Sequence, residues 1–297
     1  MLSRLLQWSI GAVGRLPLPA AQVLGAGLGS VIWLLPNRAR RTASANIARC
    51  FPALTPAAHR RLLRQSLQHL GRTVTDSAWV WTRPPAALES VVREVRGYDA
   101  VEAAQTAGRG VIFVSPHIGC WELVGTWLAR RTPLTALYRP PRLWALEPIM
   151  IAGRERTGAR LVPTDARGVR TLARALKAGE AIGILPDQAP PPGRGVIAPF
   201  FGEPARTMML LSRLARQREV SVIFCVMERL PRGAGFRLHL LPAIEEVGAA
   251  DDIAAATAVN REVERCIALR PEQYMWSYRR FRRVGSRRGG QKEARPR

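Results

Sequence analysis

Short apolar runs alternate with segments in which apolar residues recur every three or four positions, and this alternation continues along most of the chain. The short runs predict strands over residues 91–95, 110–115, 134–138, 181–185, 220–227 and 236–241. The helical periodicity predicts helices over residues 57–81, 99–107, 122–131, 146–158, 167–178, 207–217 and 251–269. Because strands that alternate with helices usually form a sheet covered by helices, the expected fold is α/β, with a central, mostly parallel sheet flanked by helices.

The N-terminal region contains an apolar segment of membrane length. Residues 16–36 carry no charged side chain and number 21, about what a helix needs to cross a bilayer. Gly25 and Gly29 are four positions apart, a spacing that lets helices pack closely in lipid. The segment is predicted to be a membrane anchor or an interfacial helix, with a buried core helix as the alternative interpretation.

Basic residues cluster at both ends of this 297-residue chain, whose formal net charge is +23. Residues 1–83 hold 11 basic residues and one acidic residue, and residues 279–297 hold nine basic residues and one acidic residue. Arginines follow the apolar segment directly, and the positive-inside rule then puts the rest of the chain in the cytoplasm. We expect an N-terminal membrane-associated unit over 1–37, a main domain over 38–283 and a basic, disordered tail over 284–297.

The charge suits nucleic acid, an anionic membrane surface or an acidic protein partner. The sequence shows no aromatic-basic RNA-binding pattern, helix-turn-helix signal or zinc finger, so nucleic acid is not an expected partner. The four cysteines are widely spaced, without a CxxC pair, which predicts reduced and buried thiols rather than a metal site or a disulfide framework.

The stretch from Ser115 to Glu122 holds the strongest candidate for chemistry. His117 directly follows the predicted strand 110–115, and ligands in open α/β sheets bind beyond the carboxyl ends of strands. Glu122 comes five residues later, at the start of a predicted helix, so the intervening turn is expected to fold the imidazole against the carboxylate. A carboxylate on one ring nitrogen leaves the other nitrogen basic, and this predicts a base that deprotonates an alcohol. A hydrogen-bonded structural histidine is the alternative.

The HxxxxE spacing of His117 and Glu122 after a strand resembles the first motif of the lysophospholipid acyltransferase superfamily. Further blocks resemble, in their order, the lipid A late acyltransferases. These blocks are Tyr138-Arg139-Pro140, Gly153-Arg154-Glu155-Arg156, Pro186-Asp187-Gln188, Pro199-Phe200-Phe201-Gly202 and Tyr274-Met275-Trp276. The resemblance extends from about residue 20 to residue 283.

The resemblance implies transfer of an acyl chain from acyl carrier protein to a hydroxyl of a Kdo-bearing lipid A precursor. It places this reaction at the cytoplasmic face of the Gram-negative inner membrane, without a cofactor or a metal. His117 would act as general base with Glu122 as its orienting partner. Arg154 matches an arginine that is tied in the superfamily to substrate binding or catalysis, and Asp187 and Gln188 match the family's DQ pair. Acyl carrier protein is acidic, so a basic surface would steer it, and the bilayer and the glycolipid are anionic as well.

Several residues outside the HxxxxE motif are candidates for binding substrate. Arg154 is expected to form paired hydrogen bonds to a phosphate or carboxylate, and Arg139 lies at a strand end. Asp187 closes the predicted strand 181–185 and so faces the same edge as His117, although a turn-capping role is the alternative. Phe200 and Phe201 are expected either to line an acyl tunnel or to belong to the core.

Two departures from the family pattern keep other functions open. Ser277-Tyr278 stands where the family commonly has a histidine, and residues 189–195 are rich in proline. The same chemistry on another membrane lipid, such as a glycolipid, phospholipid or aminolipid, is therefore an alternative. A basic, membrane-bound binding protein is a further alternative, and the charge alone favours it. A serine hydrolase is disfavoured, because the sequence contains no GxSxG motif.

Overall fold

The computed structural model describes residues 2–281, apart from Arg142, Pro192 and Arg218. Seven strands form the main sheet in the order β1-β9-β8-β2-β5-β3-β4, and β6 and β7 form a separate two-stranded sheet. In chain order the strands are β1 Val92–Arg96, β2 Gly110–Val114, β3 Leu134–Tyr138, β4 Arg160–Pro163, β5 Ala181–Ile184, β6 Val196–Phe200, β7 Glu203–Thr207, β8 Val220–Arg229 and β9 Phe236–Pro242. Within the main sheet the β8–β9 pair is antiparallel and the other pairs are parallel, which confirms the predicted fold class.

Eleven α-helices surround the sheet in the described part of the chain. They are α1 Leu2–Arg15, α2 Leu18–Leu34, α3 Arg38–Cys50, α4 Pro56–Thr82, α5 Pro85–Ser90, α6 Asp99–Thr106, α7 Trp121–Leu128, α8 Glu147–Glu155, α9 Ala166–Lys177, α10 Leu210–Ala215 and α11 Asp252–Leu269. Side-chain oxygens cap four of them, since Asn37, Thr55, Asp165 and Asp251 each accept a hydrogen bond from a backbone N–H three residues on.

The two faces of the sheet carry two hydrophobic clusters. Along β2, Ile112 and Val114 belong to one cluster, and Val111 and Phe113 belong to the other. This alternation follows from the two-residue period of a strand, and it explains why a strand buried on both faces is an unbroken apolar run. All four cysteines are buried and free, as predicted.

The sequence prediction missed three strands and the helices α1, α3 and α5, and it displaced one helix. β4, β6 and β7 each contain a proline, which counts against a strand in sequence because it removes a ladder hydrogen bond. The helix predicted over 207–217 begins only at Leu210, because Thr207 is the last residue of β7. The predicted tail over 284–297 lies outside the described residues.

The apolar segment over residues 16–36 forms α2, a helix of 17 residues that begins after Pro17. No described helix is by itself long and apolar enough to cross a membrane, although α2 and α3 pass that test as a pair bent by 84°. One side of α2 packs along α4, and the other side leaves large apolar side chains exposed. The exposed residues are Val23, Leu24, Leu28, Val31 and Leu34.

Glycines allow the backbones of α2 and α4 to touch. A Cβ added at Gly71 would lie 2.0 Å from the carbonyl oxygen of Gly25, and one added at Gly29 would lie 2.1 Å from the carbonyl oxygen of Leu67. The spacing of Gly25 and Gly29 therefore serves contact with α4 of the same chain.

A Gly71→Ala substitution is expected to lower the free energy of unfolding by about 1–3 kcal/mol, because the added methyl group forces the two helices apart. Gly27→Ala is the matched control, since nothing lies within 4 Å of its Cβ position. It should leave stability unchanged or raise it slightly. Urea denaturation in detergent measures both, and equal effects of the two substitutions would contradict the close packing.

Candidate active site

The candidate site lies at the carboxyl edge of the sheet, where two neighbouring parallel strands end. His117 follows β2, and Asp187 follows β5, which pairs with β2 in parallel. The turn after β2 is held in place by its neighbours: Gly119 has φ of +61°, and a Cβ there would lie 2.0 Å from the carbonyl oxygen of Met227. Glycine is thus required for the turn to approach β8 this closely.

Asp187 holds His117 through two hydrogen bonds. The imidazole Nδ1 lies 2.7 Å from Oδ1 of Asp187, and the backbone N–H of His117 donates to Oδ2 at 3.0 Å. The Asp187 side chain is 3% exposed and that of His117 is 12% exposed, so water reaches the imidazole but hardly reaches the carboxylate. The aspartate fixes both the position and the orientation of the ring.

Gln188 contacts the other ring nitrogen. Its amide nitrogen lies 3.0 Å from Nε2 of His117. An amide NH₂ only donates, so Nε2 accepts this hydrogen bond and the ring proton resides on Nδ1, where it faces the carboxylate of Asp187. Both contacts therefore define the same neutral tautomer, with the basic lone pair on Nε2.

The electrostatics of Asp187 favour its charged form. Burial raises the pKa of this carboxyl, but attraction to His117 and the hydrogen bonds from its ring and backbone outweigh burial and bring the pKa below its usual value. The neighbouring Tyr274 is buried, and burial together with Asp187 raises the pKa of its hydroxyl well above the usual value. The site therefore contains a buried carboxylate against an imidazole, beside a neutral phenol.

Glu122 belongs to a hydrogen-bond network that is separate from the contacts of His117 with Asp187 and Gln188. Arg154 donates to both of its carboxylate oxygens, at 2.9 Å from Nε and 2.6 Å from Nη2, and the indole of Trp81 donates at 2.8 Å. This differs from the expected contact between Glu122 and His117, whose Nδ1 contacts Asp187 instead. The physical reason is burial: a carboxylate in the first turn of α7, packed against α4 and α8, needs a cation, and Arg154 of α8 supplies it.

The pKa values of Glu122 and Arg154 reflect their mutual attraction. Burial raises the pKa of Glu122, but the charge and hydrogen bonds of Arg154 outweigh burial and lower it. Burial lowers the pKa of Arg154, but Glu122 outweighs it and raises the pKa. Glu122 engages two nitrogens of the Arg154 guanidinium, Nε and Nη2, and a role for this arginine in binding substrate stays a prediction.

The arrangement suits deprotonation of a hydroxyl. Nε2 of His117 carries a lone pair, and Asp187 stabilises the imidazolium that forms when that nitrogen takes a proton. In the part of the chain that the structure describes, no group of three or more histidine, cysteine, aspartate or glutamate side chains is placed to hold a metal ion.

Comparison with known proteins shows the family of this chain. The family model described as bacterial lipid A biosynthesis acyltransferase matches residues 5–283. The chain belongs to the bacterial lipid A biosynthesis acyltransferase family. It is 28% identical to a lipid A biosynthesis lauroyltransferase of Escherichia coli over 91% of this chain and 88% of that protein. It is 29% identical to an E. coli palmitoleoyltransferase, over 90% and 87% respectively, and 24% identical to an E. coli myristoyltransferase, over 84% and 77%.

The remaining residues predicted to bind substrate differ in how deeply they are buried. Arg139 follows β3 at the same edge and is exposed, whereas Phe200 is buried under the guanidinium of Arg280. Phe201 is half-buried, with its ring centroid 5.2 Å from that of Phe51 and 6.0 Å from that of Trp276. The structure thus places Phe200 and Phe201 against the core, and a role in holding the acyl chain stays a prediction.

Three contacts at the site were not predicted from the sequence. Trp121 packs edge-on against His117 with ring centroids 5.0 Å apart, and the backbone N–H of Met275 donates to the carbonyl oxygen of His117 at 3.0 Å. Trp81 reaches Glu122 from the far end of α4. Met275 lies in a block that resembles the family, which is a usable signal, whereas no pattern in the sequence pairs Trp81 with Glu122.

Proposed function

We propose that this protein transfers a fatty acyl chain from an acyl carrier protein thioester to a hydroxyl of a Kdo-bearing lipid A precursor. The observation that carries the proposal is the 2.7 Å contact between Nδ1 of His117 and the buried carboxylate of Asp187, because a carboxylate accepts the ring proton's hydrogen bond and leaves the basic lone pair on Nε2. Family membership supplies the reaction class, and the site supplies a base of the kind that such a transfer needs.

The proposed reaction is a single displacement at the thioester carbonyl. The acceptor hydroxyl gives its proton to Nε2 of His117 while its oxygen forms a bond to the carbonyl carbon. The carbon–sulfur bond then breaks, and the departing thiolate takes the proton from the imidazolium. A thioester is already activated, so the transfer needs neither a nucleotide nor a metal. Asp187 stays ionised and stabilises the imidazolium in between.

We propose that the acceptor hydroxyl replaces the amide of Gln188 at Nε2 of His117. This amide now occupies the position from which a hydroxyl would approach Nε2. Arg139 is exposed at the same edge and is proposed to contact an anionic group of the acceptor. Arg154 and Glu122 are proposed to shape the wall of the site, because their charges are directed at each other.

The location proposed for the enzyme is the cytoplasmic face of the inner membrane. The exposed apolar side of α2 and the exposed indole of Trp8 suit contact with a bilayer. Arg38 and Arg41 are exposed directly after α2, where anionic headgroups and the acidic donor protein would meet positive charge. The names of the relatives, lauroyltransferase, palmitoleoyltransferase and myristoyltransferase, support a fatty acyl group as the transferred unit.

Mass spectrometry of the lipid product tests the proposal. Wild-type protein in detergent should add one acyl mass to a Kdo-bearing tetraacyl lipid A precursor when a matching thioester is supplied. His117→Ala should lower the rate by about 10²–10⁴-fold, because it removes the base. His59→Ala is the matched control, since the hydrogen bond of that ring goes to the carbonyl oxygen of Ser44, away from the candidate site, and it should keep activity.

Two outcomes would contradict parts of the proposal. Acylation of total membrane lipids but not of the lipid A precursor would retain acyl transfer and change the acceptor to another glycolipid, phospholipid or aminolipid. Folded protein that transfers no acyl group to either acceptor, with several thioesters tried, would remove the enzyme assignment.

A further inference from the structure

A cavity of about 680 Å³ lies between α2, α4, the end of β8 and the segments that follow β8 and α11. The described residues that line this cavity do not include His117 or Asp187, so it is separate from the candidate active site. Its walls hold four arginines, Arg72, Arg229, Arg232 and Arg270, against two glutamates, Glu228 and Glu272. The volume falls in the range of ordinary ligand pockets, and the excess of guanidinium groups indicates an anionic ligand.

Arg229 contributes an unsatisfied donor to this cavity. Its side chain is 1% exposed, and Nε is bonded to Asp76 while Nη2 donates to Thr73 at 2.9 Å. Nη1 has no hydrogen-bond partner among the described residues. A buried guanidinium N–H without an acceptor costs free energy, so this nitrogen favours an anion or water in the cavity.

His69 contributes a second unsatisfied donor. Arg72 donates from Nη1 to Nε2 of His69 at 3.2 Å, so a neutral ring carries its proton on Nδ1. Nδ1 is buried and has no partner in the described part of the chain. The ring stays neutral because burial, with Arg229 and Arg72 nearby, lowers its pKa to about 2. Two orphan donors on one cavity both require an acceptor.

Arg72 adds a positive charge that no carboxylate neutralises directly. It forms no ion pair among the described residues, and burial together with the charge of Arg229 lowers its pKa, which the charge of Asp76 offsets only in part. Glu228 pairs with Arg270, and Asp76 pairs with Arg229, so Arg72 and Arg232 remain as positive charges of the cavity against Glu272. The lining of the cavity therefore combines a net positive charge with two residues, Arg229 and His69, that each keep one unpaired nitrogen.

We infer that this cavity binds the phosphate group of a membrane lipid headgroup. Phosphate supplies several acceptor oxygens and a charge that complements Arg72, Arg229 and His69. The lipid source follows from position: Pro19, Val23 and Ala26 of α2 line the same cavity, and Val23 begins the exposed apolar side of that helix. A lipid whose chains lie along α2 would present its headgroup at the cavity mouth.

Binding measurements on the full chain in detergent test the inference. The soluble probe is glycerol 3-phosphate, titrated at constant ionic strength, and the membrane probe is a phosphatidylcholine vesicle with or without phosphatidylglycerol. Arg72→Gln should weaken the affinity for both glycerol 3-phosphate and phosphatidylglycerol vesicles by about 10- to 100-fold. His69→Phe keeps an aromatic ring and the net charge but removes the ring nitrogens, and it should weaken both affinities by a smaller factor.

Arg61→Gln is the matched control, because Arg61 lies on the same helix and is exposed, but it lines a different cavity. It removes the same charge and should leave glycerol 3-phosphate binding unchanged. Equal losses of vesicle binding for Arg61→Gln and Arg72→Gln would overturn the inference in favour of general surface charge. A loss confined to glycerol 3-phosphate would leave a free-phosphate site and overturn the lipid assignment.

Substitution of Arg229 is a poorer test, because the loss of its buried pair with Asp76 endangers folding. The binding experiments contain no acyl donor, so their outcome is independent of the acyl-transfer assay. A chain that binds the lipid but transfers nothing would overturn the proposed function alone, and an active enzyme without this binding would overturn the inference alone.

Discussion

Asp187→Asn should lower kcat by about 10²–10⁴-fold while KM for the acyl donor stays near the wild-type value. The backbone N–H of His117 donates to one carboxylate oxygen, so an asparagine keeps its carbonyl oxygen there and turns its NH₂ toward Nδ1. That NH₂ donates, so Nδ1 becomes the acceptor and the ring proton moves to Nε2. The lone pair that takes the acceptor's proton is then lost. Steady-state kinetics with a fixed lipid acceptor measure the change.

The control for this substitution is Asp165→Asn, which removes a charge of the same size. Asp165 caps α9 by accepting from the backbone N–H of Gly168 at 2.8 Å, and asparagine caps as well as aspartate does. Its activity should match the wild type. If Asp187→Asn kept full activity while Glu122→Gln lost kcat alone, the base would be oriented by Glu122, as the sequence spacing suggested.

The low pKa of Asp187 sets the pH range of its effect on stability. A carboxyl whose folded pKa lies below its ordinary 3.8 stabilises the fold above that value, and this contribution disappears as the pH falls through the folded pKa. Between neutral pH and about pH 5 the carboxylate stays charged, so loss of activity over that range would come from another group.

The edge of the sheet could be predicted from sequence, but the contacts across it could not. The apolar runs of β2 and β5 placed His117 and Asp187 after strands, and the carboxyl ends of parallel strands share one edge. Their pairing depends on β2 and β5 being neighbours, and this strand order joins residues 70 positions apart in sequence. The nearer Glu122 was favoured because only its spacing is visible in the sequence.

Other features stayed hidden for similar reasons. The prolines of β6 and β7 count against strands, yet the two pair as a short antiparallel sheet outside the main one. His69 and Arg229 lie 160 positions apart in sequence, and only the packing of α4 on the end of β8 brings them to one cavity. The membrane-length segment was recognised from its composition, whereas its contact with α4 depends on Gly71, which nothing in the sequence singled out.

Breaking the ion pair of Glu122 and Arg154 should strongly destabilise the fold. Replacing either residue with alanine should lower the free energy of unfolding by about 3–5 kcal/mol, because the partner's charge stays buried without compensation. The two side chains are 7% and 27% exposed, so solvent screens the pair only in part. The double variant should lose less than the sum of the single losses, and chemical denaturation of all four proteins measures this coupling.

An exposed pair provides the comparison. Arg216 and Asp252 lie 2.7 Å apart with side chains 30% and 39% exposed, and Arg216→Ala should cost about 1 kcal/mol or less. Additive losses for Glu122→Ala and Arg154→Ala, each no larger than this surface value, would contradict the buried network.

The pH dependence of Arg154→Ala separates charge from packing. Without the arginine, burial is the dominant influence and the pKa of Glu122 should rise above its ordinary 4.5. A carboxyl with a raised folded pKa loses stability as the pH climbs from its unfolded pKa to its folded pKa. The loss in free energy of unfolding of the variant relative to wild type should therefore be larger at about pH 8 than at about pH 5. A loss that is the same at both pH values would mean that Arg154 stabilises the site by filling space, because a packing defect does not titrate.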